Sequence, residues 1–287
     1  MSTQITTSFV QQYRSGVELL VQQKGSRLRD AVRVETGVHA KNAYFDQIGI
    51  TAAVPRLTRH GDTPQIDTPH ARRRVTLVDY EWADLVDDQD KVRTLNEFTS
   101  PYQEGAAAAM GRAIDDVLIG AAFATAYTGE TGATATPFDS GMQVGAAASG
   151  MTLNKLLSAK ELLDAEENDP DEPRYVACSA KQVTNLLNTT EVKSADYNTV
   201  KALAQGEIDT FLGFKFVRTQ RLGTSSGNRR CIAWRKSGLL LAVGKDVKAN
   251  ISERPDKSYA MQVYFSMSIG AVRMQEKSVV EILCTEA

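Results

Sequence analysis

The chain has 287 residues, 42% of them hydrophobic, and its 33 Lys+Arg nearly balance 35 Asp+Glu for a formal net charge of -2. That length and apolar content support one large domain or two small ones around a sizeable core, and nothing in the charge balance points to a dedicated nucleic-acid or acidic-substrate binder, so any charge logic is local. The three cysteines, Cys178, Cys231 and Cys284, are an odd number without a C-x-x-C pair, and each sits beside apolar residues in a strand-like stretch, so they read as reduced core residues.

Met1 to Val10 lacks the basic region and apolar run of a secretory signal, so the protein is expected to stay where it is made. Phe9, Tyr13, Val17 and Leu20 recur at helical spacing among polar residues, which predicts an amphipathic helix up to Val21 that Gly25 ends. Arg27, Arg29 and Arg33 then mark a mildly basic extended arm reaching about Tyr44, a segment that needs another surface to lie on.

Two strand-like runs follow. Ile48, Ile50, Ala52 and Val54 alternate on the way out, and Thr76, Val78, Tyr80 and Trp82 alternate on the way back. Between them, Arg56 to Arg74 carries Gly61-Asp62, Pro64, Pro69, five arginines and two histidines, which makes a long hairpin with a basic tip. Composition leaves two meanings open, a solvated loop or a contact surface for something acidic. The length of the connection favours contact, because loops of this size between ordered strands are usually functional.

Ser100-Pro101-Tyr102-Gln103 carries a cap, a first-turn proline and a capping-box glutamine, and predicts a helix to about Tyr127. Its apolar stripe is Met110, Ile114, Val117, Leu118, Ala121 and Ala122, with Arg112, Asp115 and Asp116 expected to face away. Those three charges also argue against a membrane span across this alanine-rich segment. Thr128 to Gly150 reads as irregular connection or short weak strands. A second amphipathic helix is expected from Thr152 to about Ala165, with Leu153, Leu156, Leu157, Lys160 and Leu163 along one side. The acidic run from Glu161 through Glu166, Glu167 and Glu172 is either a solvated loop or a patch for basic groups.

From Arg174 a compact α+β lobe is expected. It comprises a buried strand Tyr175–Cys178, a helix capped by Ser179 with Gln182 and ending near Leu187, a helix from about Thr199 to Gln205, and a hairpin of Phe214–Val217 with Arg230–Trp234 across the Gly223–Gly227 turn. Tyr259, Met261, Val263, Phe265, Met267 and Ile269 alternate against polar residues in the strongest period-2 run of the chain, and Val280, Ile282 and Cys284 form a closing strand.

No catalytic or ligand motif is found. His39, His60 and His70 lie in the arm and the hairpin tip, poor places to hold a base. Asp84-x-x-Asp87-Asp88-x-Asp90 lacks the glycine and closing glutamate of a calcium loop, and Gly238 to Lys245 differs from a phosphate loop by one residue too many between its glycines. No metal or cofactor is expected.

The order of these parts resembles the tailed-bacteriophage major capsid protein family with its Hong Kong 97-like α+β fold. The stretches that carry the resemblance are Arg59-His60-Gly61-Asp62-Thr63-Pro64, Arg72-Arg73-Arg74-Val75 and Tyr102-Gln103-Glu104-Gly105 through Ile119. The resemblance implies an N-terminal arm over 1–45, an extended loop over 46–90, and a peripheral domain over 91–173 with a spine helix at 100–127. An axial domain would occupy 174–250, and 251–287 would return to the peripheral sheet. It implies a non-enzymatic shell subunit forming hexamers and pentamers around double-stranded DNA in a virion assembled in the host cytoplasm. A separate scaffolding protein, a portal and a decoration protein would be its partners, and no membrane would be involved. Lysine is missing from Arg56–Arg74, so covalent crosslinking from that loop is not expected. Candidate contacts between subunits are Arg56, Arg59, Arg72, Arg73 and Arg74 against Asp84, Asp87, Asp88, Asp90, Glu161, Glu166 and Glu167, and Arg27, Arg29 and Arg33 are candidates to face DNA. An encapsulin-like cellular compartment and an enzyme with an unfamiliar site are the alternatives.

Overall fold

The computed structural model describes residues 22–59, 61–86, 99–165, 169, 171–188 and 210–286. The helices expected at Phe9–Val21 and Thr199–Gln205, and the residues His60, Asp87, Asp88, Asp90, Glu166 and Glu167, lie outside them. The described residues form a mixed α+β structure of three helices and three sheets.

Helix α1 spans Thr99–Phe123, so it starts one residue ahead of the expected cap Ser100. Ala106, Met110, Ile114, Leu118 and Ala122 recur every four residues along it and are all buried. They pack on a four-stranded sheet of order β1 (Arg33–Thr36), β13 (Leu239–Arg254), β14 (Ala260–Arg273) and β4 (Val78–Val86). The period-2 run in β14 buries Val263, Phe265, Met267 and Ile269 in the same core as the helix stripe. The register between β13 and β14 shifts twice, at Val243/Lys245 and at Lys245/Lys248.

A seven-stranded sheet forms the second layer. Its order is β7 (Gln143–Val144), β15 (Val279–Thr285), β12 (Asn228–Arg235), β8 (Arg174–Cys178), β10 (Phe214–Arg218) and β9 (Thr210–Phe211), with β11 (Thr224–Ser225) attached to β12. The expected hairpin of β10 with β12 is not made. The strand β8 sits between them, parallel to β10 and antiparallel to β12, and the turn at Ser226-Gly227 joins β12 to the short β11 instead. Both turn residues have positive φ, 49° and 79°, as the type I′ form of a two-residue hairpin turn requires. The closing strand β15 joins β12 in this sheet and so does not return to the sheet of β14.

Helix α2 (Leu153–Asp164) is capped by Thr152, whose hydroxyl accepts from the Lys155 N–H. Its buried face is Lys155, Leu156, Ala159 and Leu163, whereas Leu157, expected inside, is exposed. Lys155 is buried because its ammonium replaces solvent with four carbonyl oxygens, those of Ala146, Ser149, Gly150 and Leu283, at 2.7–3.0 Å. Helix α3 (Ala180–Leu187) follows Ser179, but the Ser179 hydroxyl makes no cap. It donates to Glu286 Oε1 at 2.7 Å, and Gln182 receives the Met151 N–H, so the expected capping box gives way to two long-range ties.

Glu286 also accepts from Arg229 at 2.8 Å, and that guanidinium, with Ser179 and Gln182, pulls its carboxyl down to about 2. A folded-state value below the unfolded 4.5 contributes stability that is present above pH 4.5 and is lost as the pH falls through about 2. Glu286→Gln is therefore expected to flatten the acid limb of unfolding between those values by about 2 kcal/mol. An acid limb identical to that of the parent in urea titrations would refute the tie.

The three cysteines are free and buried, on β8, β12 and β15. Burial pushes the Cys178 thiol up to about 12, so it stays protonated and acts as packing.

Candidate functional site

The third sheet, β2 (Asn42–Ile48), β3 (His70–Thr76), β5 (Ala126–Thr128) and β6 (Thr134–Thr136), carries the long loop. The hairpin pairs Asn42 with Thr76 and Ile48 with His70, about six residues earlier than the apolar alternation suggests. Ile48, Ile50 and Val54 are exposed, and among the described residues β2 ends at Ile48 with no strand paired to the run Ile50–Val54. The described residues between β2 and β3 form an irregular tip that exposes Ile50 (82%), Val54, Leu57 (90%) and Ile66.

The five arginines part company here. Successive side chains on a strand point to opposite faces, so Arg72 and Arg74 share one side of β3 and Arg73 takes the other. Arg72 bonds Asp46 at 2.6 Å, and this carboxylate raises the guanidinium's pKa while its own falls. Arg74 lies over the Tyr127 ring at 4.5 Å. Arg73 is 3% exposed, donating to Met274 O at 3.1 Å and Glu276 Oε1 at 2.7 Å, and is thereby withdrawn from the outward-facing set. Arg56 folds back on the carbonyls of Thr58 and Arg59 at the tip, where Arg56 and Arg59 are exposed. Of the acidic candidates within the described residues, Asp84 is half-buried on β4 and Glu161 is exposed on α2.

The basic arm is also tied in. Arg29 forms a bidentate pair with Asp246 at 3.0 and 2.6 Å, and Arg33 bonds Glu35. Leu28, Ala31 and Val32 are core residues, and Ala31 O accepts from the Trp234 indole at 2.9 Å. Asp115 anchors this segment. Expected to face away, it is 0% exposed and accepts from Gln23 Nε2 and Ser26 Oγ, both at 2.6 Å, and from the N–H groups of Arg27 and Leu28. A carboxylate bordering an apolar helix stripe was the available signal, but its partners lie 87 to 92 residues away in sequence.

Among the described residues there is no cluster of acidic, cysteine and histidine side chains able to hold a metal, and no helix long and apolar enough to cross a membrane. A family model for phage capsid protein matches residues 5–286. The chain belongs to the phage capsid protein family.

The capsid protein's fold agrees with solved shells. The capsid structure of cyanophage P-SCSP1u is similar with a TM-score of 0.78 at 17% identity, over 100% of this chain and 96% of that one. The capsid of Ralstonia phage GP4 gives 0.75 at 11% identity over 97% and 95%. Mycobacterium phage Che8 gives 0.71 at 15% identity over 96% and 97%. At these identities the likeness concerns the fold. No curated protein matches. Family and fold together make this a bacteriophage major capsid protein, a structural protein of the icosahedral virion shell.

Proposed function

We propose that this capsid protein assembles into the hexamers and pentamers of a Hong Kong 97-like shell around double-stranded DNA, each subunit laying its 49–69 loop tip over a neighbour. In that arrangement residues up to about 45 are the arm, α1 is the spine helix of a peripheral domain, and the seven-stranded sheet belongs to the axial domain. Assembly would take place in the host cytoplasm with separate scaffolding, portal and decoration proteins.

The observation that carries the loop's role is its exposed apolar surface. Ile48, Ile50, Val54, Leu57 and Ile66 stand clear of the chain's own core, beside Arg56 and Arg59. An apolar patch rimmed by charge marks a surface that another molecule covers. The two arginines would direct the tip toward carboxylates such as Asp84 and Glu161, or toward Asp87, Asp88, Asp90, Glu166 and Glu167.

Leu57→Asp combined with Arg56→Glu and Arg59→Glu is expected to leave the subunit folded, since exposed substitutions shift stability by only about 0.5 kcal/mol each. It should abolish shells in negative-stain electron microscopy. Normal shells from this variant would sink the proposed overlap. Arg73→Glu is unsuitable for the purpose, because Arg73 is buried and its loss would disturb the fold.

A further inference from the structure

Two of the three arm arginines that the sequence offers to DNA are engaged within the chain. The third, Arg27, is exposed and has no ion-pair partner among the described residues. It opens onto a groove of 510 Å³ where Arg112 of α1 and Arg218 and Arg221 at the end of β10 converge with Gln22 and Gln23. Three segments far apart in sequence thus bring four arginines to one groove. Asp116 pairs with Arg221 through Nε and one terminal nitrogen, and Asp115 is turned inward to the arm's backbone. Arg112 donates to Gln22 Oε1 at 2.8 Å and Gln23 O at 3.2 Å through a single nitrogen, a hold that orients the rest of the fork.

We infer that this groove is a phosphodiester-binding site, contacting the backbone of the packaged DNA. The inference rests on the shell reading above for the presence of DNA. The chain as a whole is slightly acidic, so four arginines together are not a reflection of general basicity. The groove offers donors and no large apolar side chain, being completed by Ala180, Thr219 and Gln220. A protein partner would need an apolar anchor at the centre of its interface, and the groove's lining offers no large apolar side chain for one. Nucleic-acid contacts are polar, positive and largely made to phosphate oxygens. Guanidinium forks suit those oxygens, and recognition of this kind is indifferent to sequence.

The test is fluorescence anisotropy of a labelled 25-base-pair duplex titrated with the full-length protein over a range of salt. Arg27→Ser with Arg218→Ser is compared with Lys248→Ser with Lys257→Ser, which removes the same charge from exposed positions elsewhere. Loss of two phosphate contacts should make the slope of log affinity against log salt shallower by about 1.8 and weaken binding about 60-fold at 0.1 M salt. The control pair should stay close to the parent. The inference is overturned if the groove variant binds like the parent, if the control loses as much, or if polyglutamate binds the parent as tightly as the duplex, which would mark a carboxylate site for an acidic protein segment. Electron microscopy of the same preparations separates the two proposals. Absence of shells from the parent protein removes the shell reading, whereas shells with unchanged DNA affinity in the groove variant remove only the groove.

Discussion

Replacing Asp115 with alanine is expected to free residues 22–28 from α1 and to destabilise the subunit by about 3–5 kcal/mol, because it removes a buried charged acceptor and leaves the buried Leu28 N–H and three part-buried donors unpaired. The carboxylate does for the arm what a capping residue does for a helix. It receives the N–H groups of Arg27 and Leu28 at 3.0 and 3.1 Å just ahead of the short 3-10 turn Arg29–Ala31, and it receives the Ser26 hydroxyl, which in turn accepts from the Arg29 N–H at 3.1 Å. That turn delivers Leu28, Ala31 and Val32 to the core and sets β1 parallel to β13. One side chain therefore fixes where the arm leaves the body. Gly111, one helical turn earlier, makes room for it, since a Cβ there would stand 2.4 Å from the carbonyl carbon of Gly25.

Hydrogen exchange gives the direct readout. The amides of Arg27 and Leu28 should lose protection in Asp115→Ala, and the thermal midpoint of the unassembled protein should drop by roughly 10 °C. Gly111→Ala should produce the same loss at the arm by steric means while leaving the carboxylate in place. Protection that survives both substitutions would show that the arm is held by its buried apolar residues alone.

The parts of this fold that could be read from the sequence are those whose signal is local and long. The cap at Ser100–Gln103 and the stripe containing Met110, Ile114, Leu118 and Ala122, all four buried, announce α1, and the alternation from Tyr259 to Ile269 announces β14. Pairing was less legible, because it depends on partners distant in sequence. The alternation at Ile48–Val54 has the pattern of a strand, yet among the described residues no strand pairs with it beyond Ile48, and the hairpin closes earlier at Asn42–Ile48. The turn at Ser226-Gly227 was visible, but not that β8 would displace β10 as the neighbour of β12. The inward turn of Arg73 was implicit once residues 72–74 were placed on a strand, since three consecutive side chains cannot share a face. The Asp115 anchor and the arginine groove were not, since each joins segments roughly 90 residues or more apart, and only the packed chain shows which charges meet.

The same reasoning applies with comparable force at the other end of α1, where Arg273→Ala is expected to destabilise the protein by about 4 kcal/mol. Arg273 is 0% exposed, and one of its terminal nitrogens donates to Ala122 O at 2.9 Å and Ala124 O at 3.0 Å, while the other reaches Thr136 O at 3.3 Å. The last carbonyls of a helix have no intrahelical donor and carry the negative end of its dipole, so a guanidinium there satisfies both needs. Burial pushes its pKa down, but an arginine starts from so high a value that it remains charged. It also lies 5.3 Å from the Phe138 ring centre, which fills the space beside it. Arg273→Met restores most of the volume and should recover the packing share of the loss, whereas the carbonyls of Ala122, Ala124 and Thr136 still lack this donor. The expected order of urea midpoints is parent, then Met, then Ala, with exchange at the last turn of α1 rising in both variants. A methionine variant as stable as the parent would show that the arginine serves as filler, and the cap on α1 would have to be sought elsewhere.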